Sequence, residues 1–412
     1  MSKLQELINK LCPNGVEFKP LGELVGYEQP TKYIVHSTEY SNHFETPVLT
    51  AGQSFILGYT NEKFDIYPAS ENDPVIIFDD FTTSFHWVDF PFKVKSSALK
   101  ILRPKTKFAN FKYIHYAMQC IGFAPGEHTR HWISKYSLFT IPVPPIEVQE
   151  EIVRILDSFS DYAAELQAEL QARKQQYEYY RNLLLTFNPS AYGCGTDDEQ
   201  KDGVTTWGWH NYKIEWKKMG DVFEMRNGYT PSKNNSEFWV GGTIPWFRMD
   251  DIRENGRILS DSIQHITPSA IKGKGLFEAN SFILATTATI GEHALIIADS
   301  LANQRFTNLK VRKSLSNLLV TKFIYYYMFI VDDFCKKNTN VSGFASVDMD
   351  KLKRMPFPIP PLELQEKIVA ILDRFETLVN DLTNGLPAEI AAVKDQYEYY
   401  RNKLLTFKKL SA

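Results

Sequence analysis

The sequence has few cysteines and no long apolar run. Its 412 residues include four cysteines, which lie far apart and form no Cys-x-x-Cys pair. This spacing argues against a zinc site and against a disulfide framework. The most apolar stretch, LLVTKFIYYYMFIV, is too short for a membrane span and contains Lys322. The N-terminal segment lacks the apolar run of a signal peptide. These absences predict a cytoplasmic protein without a membrane partner.

Motifs of common cofactor and catalytic sites are also missing. The sequence contains no P-loop for ATP, no dinucleotide-binding glycine motif and no His-Glu-x-x-His. The nearest string to the Asn/Asp-Pro-Pro-aromatic tetrapeptide of amino-methyltransferases is NPSAY at Asn188, which lacks the second proline. Adjacent acids such as Asp79–Asp80 and Asp250–Asp251 could act as bases or metal ligands, but such pairs are more often turn residues or partners of a cation. We therefore expect no catalytic residue, no metal site and no cofactor bound by this chain.

The net charge of −3 does not by itself favour a nucleic-acid partner. The excess of acid lies in repeated helical segments and in the segment that separates them. Residues 214–356, in contrast, contain 19 basic and 15 acidic residues. A locally basic face is therefore compatible with the composition.

The chain repeats itself. QQYEYYRNLLLTF, which ends at Phe187, returns as DQYEYYRNKLLTF, which ends at Phe407. IPVPPIEVQEEIVRILDSF (141–159) returns as FPIPPLELQEKIVAILDRF (357–375), and VEFKPLGEL (16–24) returns as IEWKKMGDV (214–222). These matches indicate a tandem duplication with a unit of about 200 residues.

Each unit combines a β-rich part with a long helix. DPVIIFDDF, DFPFKVKSSALKIL and SFILATTATIG are typical of strands with Gly and Asn turns. After each Pro-Pro the apolar residues recur in steps of three and four, the heptad pattern of a coiled coil. In the first copy they are Ile152, Leu156, Phe159, Ala163, Leu166, Leu170, Tyr177, Tyr180, Leu184 and Phe187. The second copy has four extra residues near TNGLPAE, where Gly385 and Pro387 predict a break in the helix.

Two helices with one apolar seam each most simply pack antiparallel on each other, although each could instead only cover its own β-rich part. We expect an α+β fold with two β-rich domains and two long helices that form an antiparallel coiled coil with pseudo-two-fold symmetry. The predicted segments are a first β-rich domain at 1–140, a central helix at 141–187, a linker at 188–213, a second β-rich domain at 214–356 and a C-terminal helix at 357–412; the resemblance described below makes the two domains target recognition domains and the two helices spacers.

Loops of both β-rich parts combine glycine, hydroxyls, amides, cations and aromatics. Glycine lets a backbone approach a phosphate, and Arg, Asn and Gln recognise base edges. Each loop alone is weak evidence, but their occurrence in both copies favours DNA. The candidate DNA-binding residues are Lys32, Thr50, Gly52, Gln53, Thr82, Thr83 and Arg130 in the first copy, and Tyr229, Ser232, Lys233, Trp246, Arg248, Thr287, Gln304 and Arg305 in the second.

Over nearly its whole length the chain closely resembles the specificity (S) subunits of type I restriction–modification enzymes. The resemblance rests on the duplicated proline phrase, the duplicated QYEYYRN phrase, IPW at Ile244 and ATIG at Ala288. It implies that each β-rich part is a target recognition domain for one half of a bipartite site in double-stranded DNA. It also implies that the helices set the spacing and dock two adenine-methyltransferase (M) subunits, with restriction (R) subunits as possible further partners. S-adenosylmethionine and ATP would then bind the partner subunits. The alternative is a coiled-coil scaffold whose end domains bind proteins.

A partner that docks twice needs the same surface twice, which would explain the repeated tyrosine phrase. Tyr177 and Tyr180 fall on the heptad seam and fill it. Tyr179 and Tyr399 fall off the seam and are available to a partner. The candidate docking residues are Tyr179, Arg181, Tyr399 and Arg401.

Overall fold

The computed structural model describes residues 3–51, 54–106, 109–126, 129–187, 209, 212–340, 345–381 and 383–410. The chain divides into two compact units. Unit 1 contains Met1–Ala168 and Glu389–Ala412, and unit 2 contains Glu169–Ala388. Most of the predicted linker 188–213 lies outside the described residues. The domain boundaries proposed from the sequence stay predictions.

The helices are α1 Lys3–Leu11, α2 Leu21–Leu24, α3 Phe111–Met118, α4 Ile146–Leu185, α5 Met219–Val222, α6 Met249–Asn255, α7 Thr321–Lys337, α8 Met349–Arg354, α9 Leu362–Asn380 and α10 Leu386–Leu404. The strands of unit 1 are β1 Glu17–Pro20, β2 Val25–Glu28, β3 Thr46–Leu49, β4 Ile56–Thr60, β5 Val75–Asp79, β6 Phe85–Val88, β7 Lys93–Val94, β8 Leu99–Pro104 and β9 Thr140–Val143. Those of unit 2 are β10 Glu215–Lys218, β11 Phe223–Asn227, β12 Ile244–Phe247, β13 Ile258–Leu259, β14 His265–Ile266, β15 Ser281–Ala285, β16 His293–Ile296, β17 Leu301–Ala302, β18 Phe306–Val311, β19 Thr339–Asn340, β20 Ser346–Val347 and β21 Pro356–Ile359.

Unit 1 is built on an antiparallel sheet in the order β2-β8-β5-β6 and a smaller sheet in the order β4-β3-β7. Alternation along β5 places Ile76 and Phe78 in the core beneath α3 and the start of α4. Val75 and Ile77 lie in the core beneath the smaller sheet. Because both faces of β5 are covered, its sequence DPVIIFDDF lacks the polar alternation of a half-exposed strand.

Unit 2 repeats this topology and adds α6, β13 and the strand pair β19–β20. Its sheets have the orders β11-β18-β15-β16-β13 and β14-β12-β17. As in unit 1, the central strand of the small sheet pairs antiparallel with one neighbour and parallel with the other. The connection from β3 to β4 spans residues 50–55, whereas its counterpart from β12 to β14 spans 248–264 and contains α6 and β13. Much of the extra length of the second copy therefore lies in this one connection.

The long helices agree with the heptad pattern. α4 has 40 residues, as the spacing predicts, and is about 60 Å long at 1.5 Å per residue. The seam residues from Ile152 to Phe187 are buried or half-buried, and most residues between them are exposed. In the second copy the helix ends at Asn380 and restarts at Leu386, so the predicted break is confirmed.

Each unit contains an antiparallel helix pair. In unit 1 the Phe159 and Tyr400 rings stack at 5.5 Å, and the Tyr162 hydroxyl donates to Glu389 Oε1 at 2.6 Å. In unit 2 the Tyr180 and Phe375 rings stack at 5.6 Å. The prediction that the long helices pair with each other is therefore confirmed, and the α+β duplication is the architecture of the chain.

The repeated tyrosine phrases contribute to the cores. Leu405 of the C-terminal phrase is buried in the core that contains Tyr113 and Trp132 of the first domain. Leu184 and Leu185 of the central phrase are buried in the core of unit 2. Part of the phrase was thus duplicated because each unit needs the same helix end to complete its core.

A buried glutamine anchors each spacer helix at its start. Gln149 accepts from Asn110 N at 2.8 Å and donates to Pro144 O at 2.6 Å. Gln365 accepts from Val320 N at 2.8 Å and donates to Pro360 O at 2.7 Å and to Leu318 O at 2.8 Å. Both glutamines have 0% exposure, which means that the proline elbow and the recognition domain are tied together from the interior.

Candidate nucleic-acid interface

The topology of unit 2 gathers several candidate residues at one edge of its large sheet. β11 and β15 both pair antiparallel with β18, so their carboxyl ends lie at the edge where β18 begins. The loops at this edge contain Thr230 and Lys233 after β11, Thr287 after β15, and Gln304 and Arg305 before β18. Residues that are distant in sequence are therefore neighbours at this edge.

Gly228 permits the close approach of two of these loops. A Cβ atom at this position would lie 2.3 Å from Ala302 O and 2.4 Å from Asn303 O. The approach is held by two backbone bonds, from Gly228 N to Phe306 O and from Tyr229 N to Ala302 O, both of 2.9 Å. Any larger residue would push the loop after β11 away from the loop before β18.

The loops enclose an open cavity of about 340 Å³. Five predicted residues line it: Lys233, Trp246, Arg248, Gln304 and Arg305. The residues that the sequence interpretation missed are Thr230, Met249, Asp250, Arg253, Thr289 and Asn303. Met249, Asp250 and Arg253 lie on α6, the helix that unit 2 has in addition to the unit 1 topology. The sequence offered one indication of these three residues, namely that the segment after IPWF is longer than its counterpart in the first copy.

Cations dominate the lining of this cavity. It contains four basic side chains and a single carboxylate, that of Asp250. The Arg248 guanidinium lies 3.8 Å from Asp250 Oδ2, beyond hydrogen-bond distance. Among the described residues no carboxylate lies within 4.0 Å of Lys233, Arg253 or Arg305. A ligand with negative charge or acceptor atoms would therefore be attracted to this cavity.

Two polar atoms at the cavity are buried without a hydrogen-bond partner in the described part of the chain. They are Arg248 Nε and Thr289 Oγ1. Thr289 follows Ala288, a non-glycine residue with a φ of 66°. Strained backbone and unsatisfied polar groups cost stability and cluster at sites that bind ligands.

Several other candidates of unit 2 have structural partners. The Trp246 indole donates to Tyr229 O at 3.0 Å, and the Tyr229 hydroxyl donates to Ala270 O at 3.0 Å. Thr287 forms an isolated β-bridge with Ser346. Ser232 is exposed, and its carbonyl accepts from Trp239 Nε1 at 3.0 Å. These residues position the cavity walls, and their contacts with DNA stay predictions.

The candidates of unit 1 occupy loops equivalent to those of unit 2. Lys32 follows β2, Thr50 follows β3, and Thr82 and Thr83 follow β5. Arg130 lies 5.9 Å from the centre of the Phe81 ring, which places it beside the last of these loops. Gly52 and Gln53 lie outside the described residues.

The adjacent acids have the structural roles that such pairs usually have. Asp80 forms a buried ion pair with Lys100 at 3.2 Å and accepts from Trp132 N at 2.8 Å. Asp79 accepts from Phe81 N at 2.9 Å. Asp251 accepts from Arg248 N at 2.6 Å and from Ile263 N at 2.7 Å. Within the described ranges, no group of three His, Cys, Asp or Glu side chains could hold a metal ion.

The four docking candidates divide into two exposed tyrosines and two packed arginines. Tyr179 is 61% exposed and Tyr399 is 58% exposed. Arg181 lies 4.0 Å from the Phe329 ring centre, and Arg401 donates to Gln119 Oε1 at 3.2 Å. Each arginine also lies 5.4 Å from the ring centre of the tyrosine four residues earlier. The arginines therefore contact the recognition domains, while the tyrosines face solvent.

In the part of the chain that the structure describes, no helix has the length and apolar character needed to cross a membrane.

Known proteins similar to this chain share its duplication. The family model described as the type I restriction modification DNA specificity domain matches residues 13–173 and again 212–392. The specificity subunit of the type I restriction enzyme EcoR124I/EcoR124II from Escherichia coli is 42% identical over an alignment of 428 positions, gaps included, which covers 99% of this chain and 98% of that subunit. The EcoprrI specificity subunit from the same species is 52% identical over 203 residues, 48% of this chain and 51% of that subunit.

Solved structures agree with the fold. A chain from a study of complex assembly and conformational transition in the type I R-M system superposes with a TM-score of 0.56, 17% identity, and coverage of 96% of this chain and 98% of that chain. The alternative of a coiled-coil scaffold is not favoured by these matches. Two copies of the family's domain, on a fold that such chains share, show that this protein belongs to the type I restriction–modification DNA specificity subunit family.

Proposed function

We propose that this chain is the non-catalytic specificity subunit of a type I restriction–modification complex, in which each recognition domain binds one half of an asymmetric bipartite DNA site. The observation that carries this proposal is that the two units share the same framework of sheets and helices but differ in the loops attached to it. The elbow glutamines, the helix ends and the sheet orders recur in both units. In unit 2 the connection that contains α6 lines a cation-rich cavity, whereas the equivalent connection of unit 1 has only six residues.

The same contrast explains why the two half-sites would differ. A duplicated framework presents two recognition surfaces, and different loops give them different base preferences. The longer connection in unit 2 adds Arg253 and Asp250 to its cavity, and the equivalent connection in unit 1 has only six residues. The spacer helices would set the number of base pairs between the half-sites.

The exposed tyrosines support docking of two methyltransferase subunits. Tyr179 and Tyr399 occupy the same place in the two repeats, and each packs edge-on against the next tyrosine with ring centres 5.4 and 5.2 Å apart. A rigid, exposed aromatic pair is typical of the anchors of protein interfaces. Two equivalent anchors would dock two identical partners. Restriction subunits would join through this assembly.

S-adenosylmethionine and ATP would bind the partner subunits. The sequence has no P-loop and no amino-methylating tetrapeptide. The purified chain alone should therefore transfer no tritiated methyl group to DNA, and the complex with its methyltransferase subunits should do so. Methyl transfer by the chain alone would contradict the proposal.

Exchange of one recognition domain tests the modular arrangement. Residues 25–135 would be replaced by the equivalent segment of another family member, with exchange of 223–351 as the matched control. Sequencing of methylated DNA from cells that express each hybrid should show a change in one half-site only, and a different half-site for each hybrid. Altered bases in both half-sites after one exchange would show that the domains do not act independently.

A further inference from the structure

The cavity of unit 2 offers many hydrogen-bond donors and few free acceptors. The cationic groups of Lys233, Arg248, Arg253 and Arg305 only donate. The two amides at the cavity have their oxygens engaged: Asn303 Oδ1 accepts from Arg305 N at 3.0 Å, and Gln304 Oε1 accepts from the Thr230 hydroxyl. Their amide NH₂ groups remain as donors. The cavity therefore suits a ligand edge that presents acceptors.

Arg248 is the best-positioned donor. Its backbone N–H is held by Asp251 Oδ2 at 2.6 Å, which fixes the residue at the start of α6. Its Nε is buried without a partner in the described chain, and its guanidinium is one-third exposed. A bound acceptor pair would satisfy the planar fork of this side chain.

The four bases differ in what they offer to such a cavity in the major groove. Guanine presents two acceptors, N7 and O6, side by side. Adenine and cytosine each present an amino donor, for which the cavity offers one carboxylate, that of Asp250, against four cations. Recognition of adenine by an amide needs both its oxygen and its NH₂ group, and the oxygens of Asn303 and Gln304 each have one of their two lone pairs engaged. Thymine presents one acceptor and a methyl group, which leaves one arm of an arginine fork unsatisfied.

From this imbalance we infer that the cavity recognises a guanine in the half-site of the second domain, with Arg248 donating to N7 and O6 and with Arg305 as the second specificity-determining cation. The inference rests on the proposed function, because it assigns a base to a domain that is proposed to bind one half-site. Phosphate oxygens share the acceptor chemistry of guanine, so the experiment must separate these two sources.

The test uses the complex of this chain with its methyltransferase subunits and a duplex with the methylated sequence. The half-site of the second domain is the one that stays unchanged when residues 25–135 are exchanged. Replacement of each guanine in that half-site by 7-deazaguanine removes N7 and keeps base pairing. One such replacement should weaken binding by about tenfold or more. Arg248→Ala should cause a similar loss on normal DNA and no further loss on the modified duplex.

Controls separate this recognition from folding and from charge. Arg354→Ala removes an exposed arginine of α8 that lies outside the cavity lining and donates to Asp350 O, and should leave affinity and motif unchanged. Arg248→Lys keeps the charge and loses the fork, so it should lose discrimination at one base. Arg248→Ala keeps the backbone bond to Asp251, and circular dichroism would verify its fold.

Two outcomes would overturn the inference. One is a second half-site without guanine, or with guanines that all tolerate 7-deazaguanine. The other is a loss of affinity for Arg248→Ala and Arg305→Ala that is equal on specific and unrelated DNA. The affinity of these variants would then depend less steeply on salt, and the loss would disappear on duplexes with methylphosphonate at the adjacent phosphates. That pattern would assign phosphate as the ligand. If the complex methylated no bipartite sequence at all, the proposed function would fail first, which distinguishes the two failures.

Discussion

Removal of the hydrogen bonds of one buried glutamine should destabilise one unit of the chain. Gln365→Met keeps the length and approximate volume of the side chain, so the change isolates its polar contacts. The substitution leaves Val320 N without an acceptor and leaves Pro360 O and Leu318 O without a donor. Each lost bond costs about 1 kcal/mol, and buried groups left without a partner cost more. We expect a loss of about 3 to 5 kcal/mol in the free energy of unfolding of unit 2.

Urea denaturation followed by circular dichroism measures this loss. The matched control is Gln171→Met, an exposed position on α4 in the same unit, which should change stability by less than about 0.5 kcal/mol. Gln149→Met makes the equivalent change in unit 1. If unit 1 unfolds in a separate transition, the urea midpoint of that transition should shift in Gln149→Met and stay unchanged in Gln365→Met. A loss below about 1 kcal/mol for Gln365→Met would refute the view that this glutamine ties the helix to the recognition domain.

Gln365→Glu gives a second readout of the same contacts. A carboxylate there would face two carbonyl oxygens, so its folded-state pKa should rise above the unfolded value. The variant should then be less stable than the wild type at neutral pH and recover stability as the pH falls through the raised pKa. A deficit that is independent of pH would contradict this reasoning.

Three further predictions concern other parts of the chain. Burial, with a smaller effect of Lys112, lowers the pKa of His115 to about 4. Because the pKa of an unfolded histidine is about 6.5, unit 1 should lose stability as the pH falls from about 6.5 towards 4. The urea midpoint of His115→Gln should therefore decline less than that of the wild type over this range. Tyr179→Ala combined with Tyr399→Ala should weaken binding of the methyltransferase subunits in calorimetry without a shift in the melting temperature, and unchanged affinity would remove these tyrosines from the interface. Deletion of residues 167–170 shortens α4 by about 6 Å and nearly keeps the apolar seam on one face of the helix. Sequencing of methylated DNA should then show that the gap between the two half-sites is shorter by one or two base pairs, with both half-sites intact. An active variant with the original gap would argue against the helix as the spacer.

The repeats and periods of the sequence determined the architecture of this protein. The duplication was visible because long phrases recur, and the paired helices were predictable because a heptad seam has a period that no sheet can satisfy. The break near Gly385 followed from four extra residues and a proline. These features are local or repetitive, and for that reason they can be recognised without knowledge of contacts between distant residues.

Tertiary structure alone decided the details of the candidate site. Lys233 and Arg305 come together because antiparallel pairing places the end of β11 beside the start of β18, and Arg248 joins them because β12 pairs with β17, which directly precedes this loop. Arg253 joined them only through the turn of α6, a short helix without a sequence period of its own. The engaged oxygen of Gln304 depends on a hydrogen bond from Thr230, which joins two loops that approach each other at Gly228. No linear pattern records such pairings, because they arise from the folding of segments that are separated along the chain, by 74 residues in the case of Thr230 and Gln304.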